Sequence, residues 1–147
     1  MNMKDERQFV GYSKYRSRLV DGHVHTELCP HGSGDRTAMM IEKAIELRIE
    51  KVCLTEHAPL PIAFAAEYGG DKKAYDTASL KLNEVDTYLE LGRQLQRAYG
   101  THIDISLGFE VDYIPGFESD IQEFLDRYGP LTDDNILSVH FMEGVNN

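Results

Sequence analysis

The chain has no apolar run approaching the roughly 18 residues that a membrane span requires, so a transmembrane helix is not its organising feature. Residues 1–18 also lack the apolar core of a secretory signal, because Lys4, Arg7, Lys14, Arg16 and Arg18 are interspersed with Asp5 and Glu6. They are read as a weakly ordered extension, and the expected compartment is the cytoplasm. Cysteine is scarce as well. Cys29 and Cys53, the two present, are expected as reduced thiols in a chain with no sign of export. Basic residues are outnumbered: 15 Lys and Arg face 25 Asp and Glu, for a formal net charge of -10. That argues against nucleic acid as a partner, since binding a phosphate polymer relies on clustered cations that release counterions. A small anion is still admissible, because bound divalent cations can reverse the local potential of a pocket. Neither a low-complexity segment nor an internal repeat is apparent. With 147 residues and a 41% hydrophobic fraction, the expectation is one globular domain.

What is present is an alternation of short apolar runs with longer amphipathic ones, the pattern of βα units around a parallel sheet. Leu19–His25 reads as a first strand. A helix follows to Arg48, with Asp35 or Thr37 as candidate caps and Met40, Ile41, Ala44, Ile45 and Leu47 at mostly helical spacing. Lys51–His57 reads as the second strand. Pro59 and Pro61 then interrupt regular structure, and Ala63–Ser79, with Gly69-Gly70, reads as a long connection of the kind used for lids. A second long helix spans about Leu82–Tyr99, with Arg93 and Arg97 late and Gly100 as the stop. His102–Tyr113 reads as a third strand in which Ile103, Ile105, Leu107 and Phe109 alternate with His102, Asp104, Ser106 and Gly108. Ser119 and Gln122 stand in capping-box relation at the start of a third helix that ends at Gly129-Pro130. Asn135–Phe141 completes the scheme as a fourth strand.

On this scheme the chemistry-bearing residues gather at strand ends. Asp21-Gly22-His23-Val24-His25 is the strongest local signal. Two histidines one residue apart on an extended strand point to opposite faces, so they reach one ion only where the strand ends and the backbone turns. His57 ends the second strand, Glu110 lies late in the third, and His140 lies near the end of the fourth. All fall on the carboxyl rim, where side chains of a parallel α/β fold converge on one pocket. His31, six residues after His25 in Cys29-Pro30-His31, is placed at its lip. Imidazoles with a bridging carboxylate suit Zn, Mn or Fe, whereas Mg or Ca favours oxygen donors. Glu110 in an apolar strand needs a partner, and a metal supplies one. Around this set, Asp21 is read as an acceptor orienting His23, Asp112 as an outer or exposed group, and Glu56 as an ion-pair residue facing away from His57. Cys29 is read as a spectator thiol and His102 as structural.

At these residues the sequence resembles the PHP (polymerase and histidinol phosphatase) family, most closely its histidinol-phosphatase branch. The resemblance is carried by DGHVHTELCPHG, LTEHAPLP, GFEVDYIPGFE and TDDNILSVHFMEG, which run in order from Asp21 to Gly144. It implies a distorted (β/α)7 TIM-like barrel with up to three divalent metal ions. Carried over, His23 and His25 bind the first metal, Glu110 bridges the first and second, His140 binds the second, and His31 with His57 binds the third. No catalytic residue is expected outside these ligands. In the family a further histidine or cysteine and an Asp-x-His come from later strands, so the resemblance covers the N-terminal half, with 19–147 a partial PHP domain truncated after about four strands.

The activity implied is metal-dependent phosphomonoester hydrolysis, namely L-histidinol phosphate to L-histidinol and phosphate in histidine biosynthesis, incomplete in this chain. Clustered cations meet the needs of that reaction, a nucleophile at neutral pH and neutralised phosphoryl charge. The small phosphorylated substrate is one expected partner, and the resemblance leaves room for a complementary C-terminal fragment as another. Two alternatives stand beside this reading: a non-catalytic metal-binding fragment, and a PHP-family nuclease or phosphoesterase of other substrate.

Overall fold

A computed structural model describes residues 19–64 and 72–141. The extension read over 1–18 and the Gly69-Gly70 part of the long connection lie outside the described residues. Four parallel strands, β1 (Val20–Val24), β2 (Lys51–His57), β3 (Asp104–Asp112) and β4 (Ile136–Ser138), pair in sequence order as a curled half-barrel. Between them come helices α1 (Thr37–Glu46), α2 (Lys72–Asp76), α3 (Val85–Tyr99) and α4 (Glu118–Tyr128). The short α2 falls inside the stretch read from sequence as irregular. Among the described residues no helix is long and apolar enough to cross a membrane.

The central strands are buried on both faces, which is why the alternation expected for β3 fails. Ser106 and Glu110 are as inaccessible as Ile105 and Phe109. Parallel strands sandwiched between two layers bury both sets of side chains. On one face α3 and α4 supply the cover, with Phe109 against Tyr88 at 5.2 Å and against Phe124 at 5.1 Å between ring centroids. Helix α3 comes close because residue 92 has no side chain: a Cβ on Gly92 would lie 2.3 Å from Leu107 Cδ1. Tyr88 buries its ring completely, and its hydroxyl lies 2.9 Å from the Leu54 carbonyl and 2.6 Å from that of Gly108. That hydroxyl also accepts the Glu56 N–H at 3.3 Å, so one phenol ties β2 and β3 together.

Strand β4 is shorter than the Asn135–Phe141 span expected, and it pairs only with the last residues of β3, beginning with Glu110 opposite Ile136. Below that point side chains replace the ladder. Asp133 Oδ2 accepts the Leu107 N–H and Asn135 Oδ1 accepts the Phe109 N–H, both at 2.9 Å. The loop crosses so near that a Cβ on Gly108 would collide with the Asp134 carbonyl at 1.4 Å. His140 is thereby set just past the strand, at the level of the rim.

Two helix starts depart from the sequence reading. Neither Asp35 nor Thr37 caps α1: Arg36 holds the cap position without a side-chain bond, and the Glu27 carboxylate accepts the Thr37 N–H at 2.5 Å and the Thr37 hydroxyl. A carboxylate from the preceding loop satisfies an orphan donor and complements the positive end of the helix dipole. Helix α4 begins after Phe117 with no capping box from Ser119, and Glu118 instead accepts the Gly116 N–H at 3.0 Å.

Candidate metal centre

The two histidines of Asp21–His25 reach one site because β1 is irregular. Asp21 pairs with Val52 and Val24 with Leu54, so β1 spends three steps where β2 spends two. Such a bulge re-aims side chains near sites. It brings the His23 and His25 rings to the same side, with centroids 5.0 Å apart.

Their common target is Glu110. On Oε2 converge His23 Nε2 at 2.9 Å, His57 Nδ1 at 3.2 Å and His25 Nε2 at 3.4 Å, while His140 Nε2 lies 3.4 Å from Oε1. One buried carboxylate is thus ringed by four imidazoles from β1, β2 and the end of β4. His31 sits outside this ring on the exposed side, its centroid 5.0 Å from that of His57 and 6.4 Å from that of His25.

Most of these rings are held from behind. His140 Nδ1 meets Asp112 Oδ1 at 2.8 Å, and the same oxygen accepts the His140 N–H at 3.1 Å. His31 Nδ1 donates to the Thr77 carbonyl at 2.8 Å, which joins the loop after β1 to the segment following α2. His25 Nδ1 meets Glu56 Oε1 at 3.2 Å. In each case Nδ1 faces an acceptor and Nε2 is left toward the site. His57 differs. Its Nδ1 is buried and makes no hydrogen bond, although Glu110 Oε2 is 3.2 Å away.

That orphaned nitrogen is the test of whether a cation fits. A buried imidazole nitrogen and a carboxylate oxygen that share a point without bonding each other are donors to a third body. Three overlapping donor groups surround it: His23, His25 and Glu110; His57, Asp112 and His140; His25, Cys29 and His57, the donor atoms of each within 4.8 Å of one another. Imidazole and carboxylate donors of this kind suit a borderline divalent ion.

Electrostatics distinguish the rings. Burial, reinforced by the neighbouring His25, pushes the His57 imidazole below its ordinary value, which keeps its nitrogen lone pair available. The hydrogen bond to Glu56 raises His25 against the opposing effect of burial. Burial raises the Cys29 thiol, in line with its reading as a spectator, though it lies beside His25 and His57.

All six residues singled out as metal ligands from sequence are at this rim: His23, His25, His57, Glu110 and His140 converge, and His31 is on the lip. Asp112 is buried and holds His140, so of the two expectations for it the outer group stands and the exposed one does not. One reading is corrected and another extended. His23 makes its hydrogen bond to Glu110 and not to Asp21. Glu56 makes the ion pair expected of it, with His25 at 3.2 Å, but it is fully buried and is also bonded to Thr26. Strand alternation placed it on the far face. The turn after Val24 folds back over that face, and only its tertiary course reveals the contact. His102 stays apart and exposed, bonded to Thr101 at 2.9 Å.

The PHP domain family matches residues 21–147 of the chain. A histidinol-phosphatase of Bacillus subtilis (strain 168) is 41% identical over 122 residues, covering 83% of this chain and 44% of that protein. Among solved structures, a candidate histidinol phosphatase from Listeria monocytogenes superposes with a TM-score of 0.83 at 44% identity, covering 85% of this chain and 46% of the other. The histidinol phosphate phosphatase of Lactococcus lactis subsp. lactis Il1403, complexed with zinc, L-histidinol and phosphate, superposes with a TM-score of 0.65 at 26% identity, covering 85% and 41%. The chain spans less than half the length of the relatives it matches.

Proposed function

This chain belongs to the PHP domain family, and on that premise we propose that it carries the N-terminal metal ligands of a phosphomonoesterase acting on L-histidinol phosphate. The observation that carries the reading is the ring of His23, His25, His57 and His140 around Glu110. Those five residues and His31 would hold divalent metal, with Zn, Mn or Fe as the expected ions. When bound, such ions generate a nucleophile at neutral pH and neutralise charge on the phosphoryl group.

The residues of the chain itself supply geometry. Glu110 offers both oxygens to different neighbours, Oε2 toward the β1 and β2 imidazoles and Oε1 toward His140, which suits a bridging role. Asp112 fixes the orientation of His140, and Thr77 fixes that of His31. Phe64 packs on Phe117 at 5.4 Å and on Phe141 at 5.1 Å, which holds the segment after β2 against the rim beside His140. The location we infer is the cytoplasm, supported by the two free, buried thiols of Cys29 and Cys53.

The test is phosphate release from L-histidinol phosphate with zinc or manganese. It is run on the chain alone and mixed with the C-terminal part of the Bacillus subtilis relative, since that relative is more than twice as long as the matched segment. Metal-dependent release in the mixed arm, lost with Glu110→Gln, supports the proposal. Release that is indifferent to both metal and Glu110 contradicts it.

A further inference from the structure

Among the described residues Glu56 is the charged residue most completely withdrawn from solvent, at 0% exposure, yet it contributes to none of the three donor groups. Its carboxylate is fully engaged. Oε2 accepts the Thr26 N–H at 2.9 Å and the Thr26 hydroxyl at 2.7 Å, and Oε1 accepts the His57 N–H at 3.1 Å and faces His25 Nδ1 at 3.2 Å. With Thr26 N–H, the Thr26 hydroxyl and His57 N–H all aimed at its two oxygens, Glu56 acts toward its neighbours as an acceptor.

A partner that only accepts dictates the tautomer of the ring it touches. His25 must donate from Nδ1, which leaves Nε2 as the bare nitrogen, the atom 3.4 Å from Glu110 Oε2. The same carboxylate pins the backbone at Thr26, the residue after His25, so ring orientation and chain direction are set together. We propose that Glu56 is a positioning residue: through Thr26 and the Nδ1–H of His25 it fixes that imidazole in the tautomer that presents Nε2 to the metal. This rests on the metal-centre reading above.

Glutamine in its place cannot do the same. All four donors to Glu56 need an oxygen, and the amide offers one oxygen and one NH2. Either the Thr26 pair or the His25 side then meets a donor, and if it is His25, the ring proton must move to Nε2.

Long-range proton–nitrogen correlation NMR on the metal-free 147-residue chain reads the tautomer directly. At alkaline pH, where imidazoles are neutral, His25 in the wild type is expected to carry its proton on Nδ1. A proton on Nε2 overturns the proposal without any variant. Glu56→Gln is expected to shift the tautomer toward Nε2–H and to weaken zinc binding about 10- to 100-fold, the usual cost of removing the partner of a ligating histidine. Thr26→Ala, which removes a hydroxyl but leaves the Oε1 contact, should keep the proton on Nδ1. Should Glu56→Gln fail to fold, the wild-type tautomer and its persistence in Thr26→Ala still decide. A wild type that binds zinc while a folded Glu56→Gln matches it in tautomer and affinity overturns the role of Glu56 alone. A wild type that binds no zinc overturns the metal-centre reading and the purpose assigned to the tautomer with it.

Discussion

The side chains of His57 and Glu110, from the central strands β2 and β3, are 8% and 4% exposed, whereas those of His23 on β1 and His140 past β4 are 44% and 47% exposed. The inner pair is fixed by packing. Its strands are covered on both faces and clamped by Tyr88, so a change there is felt by the whole domain. The outer pair hangs on a bulge and on hydrogen bonds at the sheet edges, where a change should be felt by the site and hardly by the fold. One centre is thus assembled from a rigid half and a half that individual bonds orient.

If this contrast is right, the largest effect on stability belongs to the centre of the sheet. Leu54→Ala, at a fully buried position of β2, is expected to cost about 2–5 kcal/mol in a urea titration, because the cavity cannot collapse between helix and sheet. Less than 1 kcal/mol would mean that the centre is as pliable as the edge.

Next in size is Tyr88→Phe, which removes the hydroxyl shared by Leu54, Gly108 and Glu56 and should cost about 1–3 kcal/mol. Burial raises this phenol well above its ordinary value. With the folded value raised, its contribution is complete below about pH 10, the unfolded phenol value, and is lost as pH rises toward the folded one. Wild type should accordingly lose more stability than Tyr88→Phe on the alkaline side.

A smaller effect is expected where the loop after β1 caps α1. Glu27→Gln should cost about 1 kcal/mol, as for other lost helix caps. Burial disfavours the charge on Glu27, but the Thr37 bonds prevail and lower its value. The contribution is therefore present above the unfolded carboxylate value of about 4.3 and lost as pH falls through the folded value. Stability measured down the acid limb should decline less steeply in the variant. Smallest of all is Leu137→Ser on β4, 69% exposed, which should change the unfolding free energy by no more than about 0.5 kcal/mol.

The same contrast explains what could be read from the sequence. Lys51–His57 appeared with its observed limits because a run buried on both faces has no competing interpretation. The candidate ligands were legible because imidazoles at strand ends are unusual, and topology then puts strand ends together. Glu56 and the cap from Glu27 were not legible. Both act across a loop, and neither strand alternation nor the capping-box pattern encodes where Thr26 or Thr37 comes to lie. The bulge in β1 was hidden too, although it solves the problem that alternate histidines face opposite ways.

The central claim is that Glu110 and its imidazoles form a divalent-metal site. Calorimetric titration of the metal-free chain with zinc, run in parallel on wild type, His23→Ala and Glu110→Gln, tests it most directly. Measurable binding by wild type is predicted, weakened in His23→Ala and cut by more than about 100-fold in Glu110→Gln, beyond the cost of losing an outer partner. Equal affinity in all three would contradict the account.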